Sequence, residues 1–434
     1  MARSIIRRQS TSRPTGTAVV RRHKPDYQIV LYMGLLMLLG LVIMYAIGPQ
    51  RANVLNNAYG TDYYGSTYFF VKQTISLFLA LVAFAIAAAL PYQVLQKHAG
   101  KIVVAGFVAC ALLVFFGNLL HVDAIAQCSL GACRWFSLGP LGSLQPAEFL
   151  KFGLLLFTAG FLGARAQQGL INDRTQTLIP LGILVAIALV CIIGIQKDMG
   201  TGITLVAMLS AMLLVSGLKL RIGLLLVGIV AIVGVLFILI APHRIDRVTT
   251  FLSGDTNAAV DDAGAYHITH AKIAIGSGGL TGVGIGNSIQ ATGYLPEAIN
   301  DSVFAIMGET FGFIGLVAIL ALFTALLLRL LKVSDHLVDI RLRILVAGVF
   351  GWLGAHVILN VGAMIGIFPL TGITLPLLSF GGTSMVFIAA ALGLAFQLSR
   401  YTVFGSKLRS NEYEDSQRRR GVGRSRDTGR RRFA

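Results

Sequence analysis

Apolar runs of about 18–23 residues, each long enough to cross the hydrocarbon core of a bilayer, recur along this chain between short polar breaks. The pattern predicts spans at 27–48, 68–90, 103–120, 145–163, 177–195, 202–218, 222–241, 301–328, 344–367 and 383–399. Pro91 closes the second span. Gln145-Pro146 opens the fourth, where proline suits a first helical turn. A polar loop is expected from Pro49 to Thr67, and a short one carrying Lys97 and Lys101 before the third span. Two interruptions break the rhythm. Pro242 to Asn300 is a long polar excursion rich in glycine, and Pro369–Gly382 is a Gly/Pro-rich segment that reads as re-entrant. The expected fold is all-α, a polytopic membrane protein with about ten transmembrane helices. Its parts are a disordered basic arm (1–26), the membrane body (27–400) with a large loop at 242–300, and a basic tail (401–434).

Composition agrees with this pattern. The chain is 55% hydrophobic and 13% charged, with a mean hydropathy of +0.76, outside the range of soluble domains. The first apolar run is long and follows a basic arm, so it reads as a retained span and not as a cleaved leader. A net charge of +17 would suit nucleic acid, but the charges sit at the two ends and in short loops. That is the signature of a cytoplasmic membrane face, and the tails are read against anionic lipid instead. With ten spans, both termini share one side. All but eight of the 36 lysines and arginines fall there, the eight being Arg51, Lys72, Arg134, Lys151, Lys197, Arg244, Arg247 and Lys272. The termini are therefore expected in the cytoplasm, and the 242–300 loop outside.

Chemistry-bearing residues collect on that outer face. Gln145, Glu148 and Lys151 share one face at the start of the fourth span. Charge inside a span marks a cavity or a mutual pair. Asp198 stands at the turn between the fifth and sixth spans. Asn300-Asp301-Ser302 opens the eighth; all three are good helix caps, and Asp301 is equally placed to take a proton from a hydroxyl at the membrane boundary. Glu309 follows within that span and could pair there. Arg244, Arg247 and Lys272 run against the positive-inside bias, which phosphate or a lipid headgroup would explain. His267 and His270 are two metal-capable side chains, too few to define a site. The glycines of 276–286 lack the strand and lysine of a nucleotide loop, and suit close backbone approach or movement against a ligand. Cys110 and Cys191 lie in apolar runs. Cys128 and Cys133 share an outer loop, where a disulfide and free thiols are both open.

These pieces together resemble the SEDS family of cell-wall polymerases, the RodA and FtsW proteins. The matching segments are Arg134-Trp135, Gln145-Pro146-Ala147-Glu148, Asp198-Met199-Gly200-Thr201, Lys272 to Gly279, Leu295-Pro296-Glu297 through Asp301, Gly308-Glu309, Asn360, Pro369 to Ile373, and Ser379 to Ser384. They run through all ten predicted spans, and Gly308-Glu309 leans towards FtsW. The resemblance implies a SEDS-type fold and an inverting peptidoglycan glycosyltransferase of the bacterial cytoplasmic membrane. It would polymerise lipid II on the outer face and release undecaprenyl diphosphate, in division or elongation. It places the key acid on Asp301 and the span-four pair on Glu148 and Lys151. Substrate or diphosphate contacts would come from Arg244, Arg247, Lys272, Gln145, Asp198, Ser379, Gly381 and Gly382. A single-pass class B penicillin-binding transpeptidase is the implied partner, and a divalent cation is an open question. Two positions depart from the family pattern: Ile299-Asn300 replaces His-Thr before the acid, and Lys197 replaces a proline. Two rivals remain, a lipid II flippase and a non-catalytic division scaffold. The polar residues crowd one face, which favours chemistry over passage.

Overall fold

The computed structural model describes residues 23–402 except 123, 130–131, 140–141, 220, 224–227 and 229–262. Among the described residues, eight helices are long and apolar enough to cross a bilayer. The elements are α1 (Tyr27–Tyr59), α2 (Tyr68–Ala89), α3 (Tyr92–Val114), β1 (Ala126–Ser129), β2 (Ala132–Ser137), β3 (Ser143–Leu144) and α4 (Pro146–Gln167). They continue with α5 (Ile179–Leu189), α6 (Met199–Val215), α7 (Ala263–Ser277), α8 (Val303–His336), α9 (Ile340–Met364) and α10 (Gly382–Leu398). Wider turns extend α3 to Leu119 and bracket α5, so the fifth span runs Arg174–Ile195. The predicted sixth span is the 17-residue α6. Most of the seventh lies outside the described residues.

Burial sorts these helices. Over their most apolar stretches α4, α9 and α10 are 72%, 67% and 78% buried, against 17% for α2 and 28% for α3. The first three form the centre, and the others turn apolar side chains outward, as lipid contact requires. Small residues bring helices close where lipid supplies no hydrophobic drive. A β-carbon on Gly393 of α10 would stand 2.5 Å from the Phe84 carbonyl of α2.

Several boundaries differ from expectation. α1 continues through Pro49 to Tyr59, and Gly60 caps it in the left-handed region. The proline removes one backbone bond, but the extension packs on the 286–294 loop: Ala52 is buried and Gln50 Nε2 donates to the Gly286 carbonyl at 3.0 Å. Lys97 and Lys101 lie within α3, not in a loop before it. The large loop contains a helix, α7, where a glycine-rich coil was expected. The cysteine loop forms a three-stranded antiparallel sheet, β1-β2-β3, beside an otherwise helical body.

α8 is broken at Gly312, whose φ of 67° and ψ of −170° leave the helix. The turn at 279–284 fits against the break. Val283 and Gly284 donate to the carbonyls of Glu309 and Thr310, while Phe313 and Ile314 donate to those of Gly279 and Leu280. A β-carbon on Gly282 would stand 2.2 Å from the Thr310 oxygen. The expectation of close backbone approach at these glycines is met by the chain's own α8.

Candidate active site

The site is built from the start of α4 upward. Glu148 and Lys151 are one helical turn apart and buried, 2% and 0% exposed, with Nζ 2.8 Å from Oε1. An ammonium has three protons to place. Lys151 places the other two on Thr204 Oγ1 of α6 (3.1 Å) and His356 Nε2 of α9 (3.2 Å). Trp352 Nε1, which can only donate, shares the single lone pair of His356 Nε2 with Lys151, also at 3.2 Å. That nitrogen is therefore the acceptor and the ring proton sits on Nδ1, which faces the Thr374 carbonyl at 3.5 Å. The Trp352 ring lies 4.6 Å from the ammonium, within cation–π range. Glu148 Oε2 is buried and makes no hydrogen bond among the described residues.

One turn further out, Gln145 Nε2 donates to Asp198 Oδ2 at 2.6 Å. Asp198 caps α6, accepting from the Thr201 amide (2.9 Å) and hydroxyl (2.8 Å). The Gln145 amide donates to Thr383 Oγ1 of α10, which itself donates to the Ser143 carbonyl. Polar groups of α4, α6, α9 and α10 thus interlock through complementary donors and acceptors, as buried polar atoms must.

Asp301 enters from the other side. It precedes α8 by two residues, with Ser302 between. Ser302, and not Asp301, occupies the cap position, without a side-chain cap bond. Asp301 is half-buried. Asn360 Nδ2 of α9 donates to its carbonyl and to that of Ile373, both at 2.7 Å. A β-carbon on Gly372 would stand 3.6 Å from Asp301 Oδ2. Phe380 N donates to the Ile299 carbonyl at 2.8 Å. The irregular 369–381 segment therefore touches Asp301 on one flank, while its Thr374 carbonyl meets His356 on the other.

The remaining predicted residues are spread around this centre. Ser379 Oγ accepts from Leu375 N, and its carbonyl accepts from Gln73 Nε2 of α2. Gly381 caps α10 and Gly382 begins it, close to Ser76. Lys272 is exposed on α7, its stem passing Gly366. Arg244 and Arg247 lie outside the described residues. His267 Nε2 meets Ser302 Oγ at 2.6 Å and His270 Nδ1 meets Gln290 Oε1 at 2.8 Å. Among the described residues no three His, Cys, Asp or Glu side chains form a metal-holding group. Glu309 is buried and accepts from Ser288 Oγ (2.5 Å), Ile289 N (2.9 Å) and Gln290 N (3.2 Å). It anchors the 288–290 loop, and does not pair within its own helix. Cys128 and Cys133 are bridged. His356, Trp352 and Thr204 were missed in the sequence. Their signal was there: Trp352, His356 and Asn360 recur every four residues on one face of an apolar helix, where polar side chains mark function.

Comparison with known proteins follows the same lines. Residues 27–403 match the FtsW, RodA and SpoVE family, described as cell cycle protein. Stage V sporulation protein E of Bacillus subtilis (strain 168) is 31% identical over 387 residues, covering 88% of this chain and 99% of that protein. A probable peptidoglycan glycosyltransferase FtsW of Aeromonas salmonicida (strain A449) is 33% identical, covering 86% and 90%. Among solved structures, a chain of a peptidoglycan synthase complex, studied for the coordination of polymerization and crosslinking, superposes with a TM-score of 0.64 at 26% identity, covering 87% and 98%. Rod shape determining protein RodA of Thermus thermophilus gives 0.58 at 25% identity, covering 88% and 98%. With a family match across nearly all of its membrane body, this chain belongs to the FtsW, RodA and SpoVE family of cell cycle proteins.

Proposed function

We propose that this multi-pass membrane protein is a peptidoglycan glycosyltransferase that polymerises lipid II at the outer face of the bacterial cytoplasmic membrane. The family, and relatives named as such enzymes, support the activity. One observation carries the site: α9 links a half-buried carboxylate, Asp301, to a buried Glu148–Lys151 pair, its His356 meeting Lys151 and its Asn360, one turn on, donating to the Asp301 carbonyl. The Cys128–Cys133 bridge supports an outward face for that end of the molecule, since disulfides persist where the compartment is oxidising.

In this reading Asp301 takes the proton of the acceptor's GlcNAc 4-hydroxyl. The oxygen attacks C1 of the donor's MurNAc with inversion, and undecaprenyl diphosphate departs with the bonding pair. One carboxylate suffices because the diphosphate scarcely needs protonation. Lys151 has its three protons committed within the protein, so it acts through its field and by positioning Glu148. Direct contact with the diphosphate then belongs to other cations: the exposed Lys272, and Arg244 and Arg247, which lie outside the described residues. A single-pass class B transpeptidase is the proposed partner, supported by the likeness to a chain of a complex that joins polymerization to crosslinking.

Purified protein given labelled lipid II, with and without a cognate transpeptidase, should form glycan ladders. Asp301→Asn should keep the fold and reduce them about 100-fold or more. Ladders at the wild-type rate from the variant would remove Asp301 from the mechanism. Their absence from the wild type, even with the partner, would turn attention to lipid II transport in sealed vesicles.

A further inference from the structure

The disulfide-bridged hairpin lies outside the site described above, yet it is wired into it. Cys128 and Cys133 face each other across β1 and β2. The hairpin is seated on the end of α3: a β-carbon on Gly117 would stand 2.5 Å from Cys133 Sγ. Arg134, next in sequence to Cys133, reaches away from the hairpin. Its Nε donates to the Gln196 carbonyl at 3.3 Å and its terminal nitrogen to the Lys197 carbonyl at 2.8 Å. These are the two residues of the turn between the fifth span and α6. Lys197 holds a left-handed φ of 54°, which a side chain adopts at a cost and which neighbouring contacts must maintain. The next residue is Asp198, whose carboxylate fixes both the start of α6 and Gln145 at the start of α4. Glu148 lies one turn beyond.

We propose that Arg134 is a positioning residue of the glycosyl-transfer site, and that the Cys128–Cys133 bridge is the redox-sensitive brace that holds it. This rests on the proposed polymerase activity and on Glu148 being part of its site. The guanidinium clamps the two carbonyls before Asp198, and a planar fork of donors suits that task better than an ammonium. Opening the bridge frees the strand that carries Arg134. The carboxylate of Asp198 then loses its fixed direction, and Gln145 and Glu148 lose theirs. Reduction needs an external dithiol, which supplies two electrons and two protons. The product is two cysteine thiols, and the dithiol becomes a cyclic disulfide.

The test compares lipid II polymerisation by the full-length protein with its transpeptidase partner, before and after dithiothreitol, for wild type, Arg134→Ala, Arg134→Lys and Cys128→Ser/Cys133→Ser. The expected result is a fall in kcat of about tenfold on reduction, against the roughly 100-fold that a 1 Å misplacement can cause, with KM little changed. The double serine variant should start at the reduced rate and ignore dithiothreitol. Arg134→Ala should match it, and Arg134→Lys should recover part of the rate. Hydrogen exchange at the 198–202 amides should quicken in step. Wild-type kcat after reduction and in the serine variant, with only thermal stability lowered, would overturn the proposal and leave the bridge a loop staple. If oxidised wild type makes no glycan at all, the polymerase reading fails, and the brace with it. Unchanged exchange at 198–202 after reduction overturns the brace whatever the activity.

Discussion

Lys151 is a cation without exposure, and its surroundings say what holding it there requires. A buried ammonium is tolerated only when a counter-charge and acceptors absorb its protons. Glu148, Thr204 and His356 do so from three helices. Removing one partner should therefore hurt more than removing both. Lys151→Met leaves an uncompensated buried carboxylate and should destabilise the protein by about 3–5 kcal/mol. Adding Glu148→Gln to it should recover much of that loss in a thermal melt in detergent, while polymerisation stays low in both. A double variant no more stable than Lys151→Met would show that the pair does not act as a unit. At this scale the sequence showed the pair itself, because residues three apart lie on one face of an α-helix. That His356 would be the third acceptor for Lys151 was not legible. His356 is more than 200 positions away, and only the packing of α9 on α4 makes it a neighbour.

At the scale of elements, α8 and the loop that feeds it behave as one piece. The break at Gly312 frees backbone groups that the 279–284 turn takes up, and Glu309 ties residues 288–290 to the same helix. Gly312→Ala forces a left-handed φ on a β-carbon, at a cost of about 1–2 kcal/mol, and also meets the Leu280 carbonyl at 2.6 Å. Its melting temperature should fall clearly. Glu309→Ala removes the acceptor for two amides and a hydroxyl, so exchange at 289–291 should rise well before the rest of α8 loosens. Slow exchange there in the variant would mean that the loop holds itself. The glycine pattern announced close approach in the sequence. It could not name the partner strand of backbone, since glycines at 278 and 282 fit any surface that comes near. For the same reason Pro49 suggested an end to α1: the contacts that carry the helix past it belong to the 286–294 loop.

For the molecule as a whole, the central helices α4, α9 and α10 carry the polar network, and the rim meets lipid. We propose, from the charge distribution, that both termini lie in the cytoplasm and residues 263–302 outside. A membrane-impermeant thiol reagent should label Asn287→Cys in intact cells, and should label Lys332→Cys only after permeabilisation. The reverse pattern would invert the topology and, with it, the proposed outer site. The helical, membrane-spanning type of the elements and the family were determined by the amino-acid sequence alone, because hydrophobic length and local motifs are properties of contiguous residues. Tertiary structure decided what those residues do to one another. It set Asn360 between Asp301 and Ile373, gave Lys151 its three acceptors, broke α8 at Gly312, and closed the Cys128–Cys133 bridge. Each of these joins groups separated in sequence or chooses one geometry among several open to the same spacing. Only the packed chain supplies the distances and directions that hydrogen bonds and buried charges require.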